Sequence, residues 1–275
     1  MNITHVTQSI KQLENWFRQH SPCTIATSGG IDSMLLAYIA SYVIGAEAFI
    51  IHSASSAVPD ADARRVRLYA EKYNWNYNTV DSGEMHDARY LKNPLNRCYY
   101  CKSNLFTRLA HIRRGDIVTG TNVDDLSDYR PGLIAARQNN VQQPYTDLGI
   151  DKAAIRRIAA YLQLDDLKEL PASPCLASRI ETGIAINTSG LQLVDRVESM
   201  VKAYLNVDIV RFRIKKMALE IQLAPEFYHS MGEQTRHDLL LAVQQQLPAE
   251  FSTMPLNVTA YAQGSAFVGE KQETM

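Results

Sequence analysis

A glycine turn between a predicted strand and a predicted helix constrains this chain more than any other feature. The apolar run over 23–27 is typical of a buried strand, and a helical segment follows from Met34. Between them stands the sequence Ser28-Gly29-Gly30-Ile31-Asp32-Ser33. Two adjacent glycines let backbone N–H groups approach an anion closely, and the start of the helix adds a positive dipole end. The turn therefore predicts a phosphate site, which we call the phosphate loop (28–33).

The side chains of the phosphate loop indicate which ligand it suits. Ser28 and Ser33 offer hydroxyl donors, and Asp32 could hold a Mg²⁺ ion that bridges phosphate oxygens. The loop does not match the pattern G-x-x-x-x-G-K-[ST], because it has no Lys that would reach the outer phosphates. Binding mainly through backbone and hydroxyl groups suits pyrophosphate as the leaving group, so ATP is the predicted ligand.

The first half of the chain predicts a parallel α/β sheet. Strand-like and helical segments alternate after the phosphate loop, with strands at 46–52, 77–80 and 116–120 and helices at 60–73 and 102–113. This order is typical of a doubly wound parallel sheet, in which ligands bind beyond the carboxyl ends of the strands. Gly120 and Thr121 lie at the end of the fourth strand, so we expect them to converge with the phosphate loop.

The organisation changes after residue 170. A segment rich in Pro, Ser, Gly and Thr follows, and beyond it the order is helix, two strands, a helix over 226–246, and a strand. This order predicts a small α+β second domain. The predicted division is a nucleotide-binding domain (1–170), a cysteine-bearing active-site loop (171–188), a substrate-binding or oligomerisation domain (189–263) and a tail (264–275).

Composition and charge exclude several classes of function. With 46% hydrophobic and 21% charged residues among 275, the chain resembles an ordinary globular protein. A net charge of −1 predicts no general attraction to nucleic acid or anionic lipid. No secretory signal pattern is visible, and the uncharged apolar stretch 33–46 is shorter than the ~20 residues that a membrane span needs. We expect a cytoplasmic protein without nucleic-acid or membrane partners.

Three of the four cysteines stand in patterns that point to chemistry. Cys98 and Cys101 form a C-x-x-C pair at the start of a predicted helix, and Cys175 stands in the proline-broken loop. In a reducing compartment, clustered cysteines favour metal binding or catalysis over disulfides. The pair alone is open to several interpretations: a zinc site, a redox dithiol, cluster ligands or two packed thiols. Cys23 lies in a predicted core strand and is expected to be a small buried hydrophobe.

The phosphate loop resembles the PP-loop of the ATP pyrophosphatase superfamily, which has an adenine nucleotide alpha hydrolase-like fold and releases pyrophosphate. Longer segments resemble the LarE family: RCYYCK at 97–102, GTNVDDLSDYRPG at 120–132 and PASPCLASRI at 171–180. The resemblance covers most of residues 20–225. It implies a sulfur transferase of nickel-pincer nucleotide biosynthesis that uses ATP and Mg²⁺. Such an enzyme adenylates a carboxylate of a pyridinium biscarboxylate mononucleotide, and sulfur then displaces AMP.

The LarE resemblance implies one of two sources for the transferred sulfur. In one version, three cysteines hold a [4Fe-4S] cluster whose fourth iron carries an extra sulfide. In the other, the residue at Cys175 gives up its own sulfur and becomes dehydroalanine. Because this chain has Cys98, Cys101 and Cys175, we favour the cluster version, with an external sulfide donor. Both versions require Cys175, and the resemblance also implies a homo-oligomer.

Several other residues are candidates for the site, each with a plainer interpretation. Lys102 could neutralise an adenylate oxyanion, or it could be an exposed helix lysine. Asp124 and Asp125 could complete the Mg²⁺ site, although Asp is also a routine helix cap. The segment 53–56, where adenosine is expected, shows no feature that we assign.

Four arginines are candidates for binding anions. Arg130 could bind phosphate or pair with Asp128. Arg179, in the proline-broken loop, could steer the substrate carboxylate through a bidentate contact. Arg211 and Arg213 alternate along a predicted strand and therefore share a face. The LarE resemblance implies that this pair grips the phosphate of the mononucleotide, whereas composition alone favours a solvated strand face.

Three rival functions stay open at the level of sequence. A tRNA thiolase with three cysteines would need a basic surface, which the net charge disfavours. An amide-forming PP-loop synthetase would make the cysteines incidental, so a variant without them would keep its activity. A non-catalytic nucleotide sensor or metal-storage module would bind ATP without forming AMP or pyrophosphate.

Overall fold

The computed structural model describes residues 3–127, 130–262 and 264–266. The chain divides into two compact units. The first comprises Met1–Asp87 and Arg97–Ser173, and the second comprises Ala88–Asn96 and Pro174–Met275. The domain boundaries at 170 and 188 stay predictions. Most of the predicted tail (264–275) lies outside the described residues.

The secondary structure of both units follows one chain order. The strands are β1 (Cys23–Thr27), β2 (Ala48–Ser53), β3 (Asn76–Val80), β4 (Asp116–Thr119), β5 (Val210–Ile214), β6 (Leu219–Leu223) and β7 (Leu256–Ala260). The helices are α1 (Ile3–Gln19), α2 (Ile31–Ile44), α3 (Asp60–Lys72), α4 (Ala88–Leu91), α5 (Arg97–Ile112), α6 (Pro131–Gln138), α7 (Pro144–Asp147), α8 (Lys152–Tyr161), α9 (Asp165–Lys168), α10 (Thr188–Leu205), α11 (Pro225–Ser230) and α12 (Glu233–Gln244).

The first unit is built on a parallel sheet with the strand order β3-β2-β1-β4. Neighbouring residues of one strand enter different apolar clusters: Ile50 and Val118 belong to one cluster, and Ile51 and Ile117 belong to the other. Since successive side chains of a strand point to opposite faces, the sheet is covered on both faces. The predicted doubly wound α/β fold is confirmed.

The two faces of this sheet are covered by different helices. Side chains of α1, α2 and α8 fill the first cluster, as Leu13, Leu35 and Ile155 illustrate, whereas α5 and α6 fill the second. Cys23 of β1 is fully buried, and its Sγ donates to the His20 carbonyl at 2.8 Å. Burial, with a smaller contribution from the charge of Asp116, raises the pKa of this thiol to about 12. Cys23 is thus the buried apolar residue that the strand pattern predicts.

The second unit contains the sheet β5-β6-β7. Strand β5 pairs antiparallel with β6, and β6 pairs parallel with β7. Helix α10 packs on β5 through an apolar stripe that includes Val194, Val197 and Val201. The predicted α+β character is confirmed. The helix predicted over 226–246 is two helices, α11 and α12, which are separated at Met231 and Gly232. A Gly in a helical pattern raises the cost of continuing the helix, which fits an interruption there.

Within the described part of the chain, none of the helices combines the length and the apolar character needed to cross a bilayer.

We expect Gly115→Ala to destabilise the protein far more than Gly149→Ala. Both glycines have positive φ angles, +66° and +68°, which cost an L residue about 1–2 kcal/mol. A Cβ at Gly115 would lie 1.6 Å from the Pro22 carbonyl oxygen, whereas a Cβ at Gly149 would meet no atom within 4 Å. The backbone clash should raise the loss at Gly115 to about 3 kcal/mol or more. Urea unfolding measures both losses, and equal values would contradict the contact with Pro22.

Candidate active site

The phosphate loop is held in shape by its own serines. The Ser33 hydroxyl donates to the Gly30 carbonyl at 3.1 Å and accepts the Ser28 N–H at 3.0 Å. The two hydroxyl oxygens lie 3.1 Å apart, and Ser33 is buried. Gly30 is the N-cap of α2 in an extended conformation. The hydroxyl of Ser33 therefore supports the turn, and it is the loop backbone that stays available for an anion.

Two glycines allow the phosphate loop to pack closely on its neighbours. Gly29 has φ +91°, and a Cβ there would lie 2.7 Å from Cβ and O of Asp62 in α3. A Cβ at Gly120, just after β4, would lie 2.8 Å from the Asp32 carbonyl carbon and the Ser33 nitrogen. Gly120 thus converges with the phosphate loop as expected. The side chain of Ile31 belongs to the core, so Ile31 can contribute only its backbone to a ligand site.

Asp32 forms an ion pair with a residue that sequence reasoning missed. Lys152, the first residue of α8, places Nζ 2.5 Å from Asp32 Oδ2. Burial raises the pKa of Asp32, and the Lys152 charge and hydrogen bond oppose this rise. Oδ1 of Asp32 is buried and has no hydrogen-bond partner among the described residues. An unpartnered carboxylate oxygen at the phosphate loop fits a cation such as Mg²⁺.

The other predicted acidic residues lie close to this ion pair. Asp124 Oδ2 accepts the backbone N–H of Lys152 at 2.9 Å, so Lys152 links Asp124 to Asp32. Asp125 pairs with Arg130 at 2.7 Å, and its negative charge contributes to the raised pKa of Asp32. The alternative partner of Arg130, Asp128, lies outside the described residues.

Thr121 contributes its backbone to the same part of the first unit. Its carbonyl accepts the Thr146 hydroxyl at 3.3 Å, and its own hydroxyl lies 3.3 Å from that of Thr119. The loop after β4 is thereby tied to α7. No motif in the sequence indicated Lys152 or Thr146, because both belong to segments that only the fold brings to the sheet edge.

The carboxyl ends of β2 and β3 carry a polar cluster that the sequence did not reveal. The buried carboxylate of Glu84 accepts the hydroxyls of Ser55 and Ser82, and the Ser53 and Ser82 hydroxyl oxygens lie 2.9 Å apart. Ser53 and Ser55 belong to the segment that had no assigned feature. The hydroxyl groups are therefore fixed by a carboxylate at the sheet edge where nucleotides bind in this class of fold.

His52 lies beside this cluster and next to the phosphate loop. Its Nδ1–H donates to the Thr27 carbonyl at 2.8 Å, and burial lowers the pKa of the imidazole. Within the described chain, Nε2 is buried and makes no hydrogen bond. In the tautomer that donates from Nδ1, Nε2 is an acceptor.

Cys98 and Cys101 lie in the first turns of α5 and are both half-buried. Residues three apart share one side of a helix, so the two thiols face the same direction. Lys102 follows them, and its Cγ lies 3.1 Å from the position of a Cβ on Gly132 in α6. The aliphatic part of Lys102 therefore packs against α6.

Cys175 is an exposed residue of the second unit, held by a buried arginine. It precedes the 3₁₀ helix Leu176–Arg179. Arg179 Nη1 donates to the carbonyls of Pro174 at 2.5 Å and Cys175 at 3.1 Å, and it also contacts the Ser178 hydroxyl at 3.0 Å. The guanidinium of Arg179 thus fixes the backbone on which the exposed thiol stands.

Glu198 of α10 completes this arrangement and was missed in the sequence. Its carboxylate accepts Nε and Nη2 of Arg179 at 2.8 and 2.9 Å, and it accepts the Phe212 N–H at 2.9 Å. Both charged side chains are nearly inaccessible, with exposed fractions of 2% and 4%. A signal was available, since Glu198 interrupts the apolar stripe of Val194, Val197 and Val201.

Arg211 and Arg213 are both buried, and β5 is buried along its whole length, so they do not form a solvated strand face. Arg213 donates to Gln222 Oε1 at 3.0 Å and to the Ser178 carbonyl at 2.7 Å. Burial, and next the charge of Arg179, lowers the pKa of Arg213 to about 10. Arg211 Nη1 donates to the Val210 carbonyl, and its guanidinium lies 5.8 Å from the ring centre of Tyr261.

The described residues contain no group of three or more His, Cys, Asp or Glu side chains arranged to hold a metal ion. Cys98 and Cys101 belong to the first unit, and Cys175 belongs to the second. The three cysteines have the donor chemistry of a cluster site. The cluster itself stays a prediction.

The sheet order, the phosphate loop and its convergence with Gly120 define a protein with a PP-loop-type α/β fold. The chain matches none of the models of known protein families. It is 34% identical to an uncharacterized protein of Synechocystis sp. over 221 residues. These residues are 79% of this chain and 82% of that protein. The chain belongs to the same family as this protein.

Two more distant relatives are similar to the chain over most of its length. An uncharacterized protein of Methanocaldococcus jannaschii is 29% identical over 213 residues, which are 76% of this chain and 80% of that protein. The pyridinium-3,5-bisthiocarboxylic acid mononucleotide synthase of Lactiplantibacillus plantarum is 26% identical over 205 residues, 73% of this chain and 74% of the synthase. The chain is therefore similar to this LarE-type synthase at a lower identity than to the Synechocystis protein.

We expect Lys152→Met to lower the free energy of unfolding by about 1 kcal/mol at pH 7, as for a favourable, partly exposed ion pair. Because Lys152 holds down the pKa of Asp32, the variant should raise that pKa further. With this higher pKa, folded Lys152→Met binds a proton at Asp32 more readily than the folded wild type does. The loss of unfolding free energy in the variant should therefore shrink as the pH falls from 7 to 5. Urea unfolding at both pH values measures the effect.

Lys168→Met is the matched control for this experiment. The side chains of Lys152 and Lys168 are both 33% exposed, but the partner Asp165 is 71% exposed whereas Asp32 is 26% exposed. We expect the control to unfold like the wild type at both pH values. Equal losses in the two variants, without dependence on pH, would show that the burial of Asp32 does not govern the pair.

Proposed function

We propose that this protein is an ATP-dependent sulfur transferase of nickel-pincer nucleotide biosynthesis. It adenylates a carboxylate of a pyridinium biscarboxylate mononucleotide and then replaces AMP with sulfur. The name of the Lactiplantibacillus plantarum synthase supports this substrate, since it is a bisthiocarboxylic acid mononucleotide synthase.

One observation carries the first half of the proposal: a preformed phosphate loop beside a carboxylate with an unpartnered oxygen. Ser28, Ser33 and Gly30 hold the turn, so its backbone N–H groups are oriented before a ligand arrives. Asp32 Oδ1 is buried without a hydrogen-bond partner among the described residues. Binding of the phosphates of ATP with a divalent cation would satisfy both kinds of group.

Adenylation is needed because a carboxylate is a poor electrophile. A carboxylate oxygen of the substrate attacks the α-phosphorus of ATP, the bond to the β-phosphate oxygen breaks, and pyrophosphate leaves. The backbone of the phosphate loop and Lys152 oppose the negative charge that grows on the departing group. Mg²⁺ held at Asp32 would supply additional neutralisation of the phosphate oxygens.

Sulfur transfer is assigned to Cys175. A sulfur nucleophile attacks the acyl carbon of the adenylate, the C–O bond to the phosphate breaks, and AMP leaves with the bonding electrons. The product is a thiocarboxylate. The exposed position of Cys175, on a backbone fixed by Arg179, supports this role because a nucleophile needs both access and a defined place.

For the sulfur source we propose the cluster version, with Cys98, Cys101 and Cys175 as ligands. A bound [4Fe-4S] cluster with one iron free of protein ligands would carry the transferable sulfide. In the alternative version, Cys175 Sγ forms a thioester with the substrate. Loss of the Cα proton then breaks the Cβ–S bond and leaves dehydroalanine.

The arginines of β5 are proposed to bind the phosphate of the mononucleotide. Burial and then the like charges of Arg179 and Arg211 lower the pKa of Arg213, whereas the charge of Glu198 raises it. With a pKa of about 10, Arg213 stays a cation at neutral pH. An anion between these groups would relieve the repulsion, which supports a phosphate as ligand.

We expect Asp32→Asn and Cys175→Ser to separate the two half-reactions. Cys175→Ser should keep pyrophosphate release from ATP and the mononucleotide but form no thiolated product. Asp32→Asn should lower pyrophosphate release by about a hundredfold or more, as removal of an electrostatic contact to the reacting groups does. Radiolabelled pyrophosphate release and mass spectrometry of the product measure the two steps. Thiolated product from Cys175→Ser would overturn the assignment of Cys175.

Anaerobic purification tests the sulfur source separately. The cluster version predicts a brown protein with about four irons and four acid-labile sulfides per chain. The variant Cys98→Ser/Cys101→Ser should lose both the colour and the iron. A colourless wild-type protein whose residue 175 becomes lighter by one H₂S after turnover would establish the sacrificial version instead.

A further inference from the structure

Asp62 connects the phosphate loop to a distant part of the chain. It lies in the first turn of α3 and is 4% exposed. The Cα of Gly29 approaches it so closely that a side chain at Gly29 would collide with Asp62 Cβ and O at 2.7 Å. Neither the sequence motifs nor the proposed chemistry gives a role to this buried carboxylate.

Arg65 strengthens the contact between Asp62 and the phosphate loop. Its Nη1 donates to Asp62 Oδ1 and to the Gly29 carbonyl, both at 2.6 Å. The arginine therefore neutralises the carboxylate and fixes the carbonyl of the loop with the same nitrogen. A movement of the Gly29 peptide would change the position of Arg65 and, through it, that of Asp62.

The second oxygen of Asp62 binds a hydroxyl from the other end of the first unit. Ser173 Oγ donates to Asp62 Oδ2 at 2.6 Å across a separation of 111 residues. Ser173 is the last residue of the first unit, and the chain enters the second unit at Pro174. Cys175 follows two residues after Ser173. Residues 171–175 are exposed, so this hydrogen bond anchors an otherwise exposed segment of the chain.

We propose that Asp62 is a positioning residue that couples the phosphate loop to the segment leading to Cys175. This inference rests on the proposed function. Phosphates bound to the loop immobilise the Gly29 peptide, Gly29 holds Arg65, Arg65 holds Asp62, and Asp62 holds Ser173. Occupation of the nucleotide site therefore orders the chain next to the sulfur-transferring residue, and sulfur transfer is favoured when ATP has been bound.

Ser173→Ala tests the coupling without touching the phosphate loop. We expect pyrophosphate release within about twofold of the wild type and about tenfold less thiolated product per pyrophosphate, the effect of losing one hydrogen bond to a charged group. In the wild type, MgATP should slow amide hydrogen exchange over 172–179, and Ser173→Ala should abolish this protection. Ser173→Thr keeps the hydroxyl and should restore both properties.

Ser189→Ala is the matched control, because Ser189 also donates to a carboxylate, Glu250, at 2.9 Å. It should behave like the wild type in both measurements. Unchanged product per pyrophosphate in Ser173→Ala, or protection by MgATP that survives in it, would overturn the coupling.

The two readouts separate this inference from the proposed function. Amide exchange needs only ATP binding, so the coupling can hold even if the mononucleotide is not the substrate. A wild-type protein that binds MgATP but releases no pyrophosphate with the mononucleotide refutes the proposed function alone. A protein that binds no ATP, judged by an unchanged thermal unfolding temperature, refutes both.

Discussion

The architecture of the candidate site depends on backbone contacts that only glycine permits. Gly29 packs against Asp62 of α3, and Gly120 packs against the first turn of α2, in each case closer than a Cβ atom would allow. Strands β1 and β4 are neighbours in the sheet, so these contacts hold the end of β1 against the start of α3 and the end of β4 against the start of α2. The phosphate loop therefore has a fixed shape without a ligand, and it positions Asp32, with which Lys152 of α8 forms its ion pair.

Charge at the loop is balanced by residues from elsewhere in the chain. The loop motif contains a carboxylate and no cation, and burial of Asp32 without a partner would favour its neutral form. Lys152 opposes part of that effect, and Arg65 forms an ion pair with Asp62 beside the loop. Both cations sit on helices next to the loop, so α3 and α8 supply the positive charge that a Walker lysine supplies within other phosphate loops.

The sequence predicted what depends on local patterns and missed what depends on distant contacts. The strand, turn and helix around the phosphate loop follow from apolar periodicity and glycine chemistry, which act within a few residues. Lys152 and Ser173 reach Asp32 and Asp62 across more than a hundred residues, and no spacing rule covers such pairs. Glu198 is the exception, because a charge within an apolar helix stripe is visible in the sequence and signals a buried partner.

Arg179, a buried arginine, fixes the backbone around Cys175 because its guanidinium reaches several acceptors at once. Nε, Nη1 and Nη2 of Arg179 all donate to protein acceptors, which are Glu198, two loop carbonyls and the Ser178 hydroxyl. A bidentate contact with a substrate carboxylate would have to displace some of these acceptors, and displacing Glu198 would leave a buried charge unpaired. A lysine could not replace the planar fork that reaches these acceptors together. The hydrogen bonds of the buried Arg179 guanidinium therefore fix the backbone around Cys175 while its thiol stays exposed. A defined and accessible position is what the proposed role of Cys175 in sulfur transfer requires.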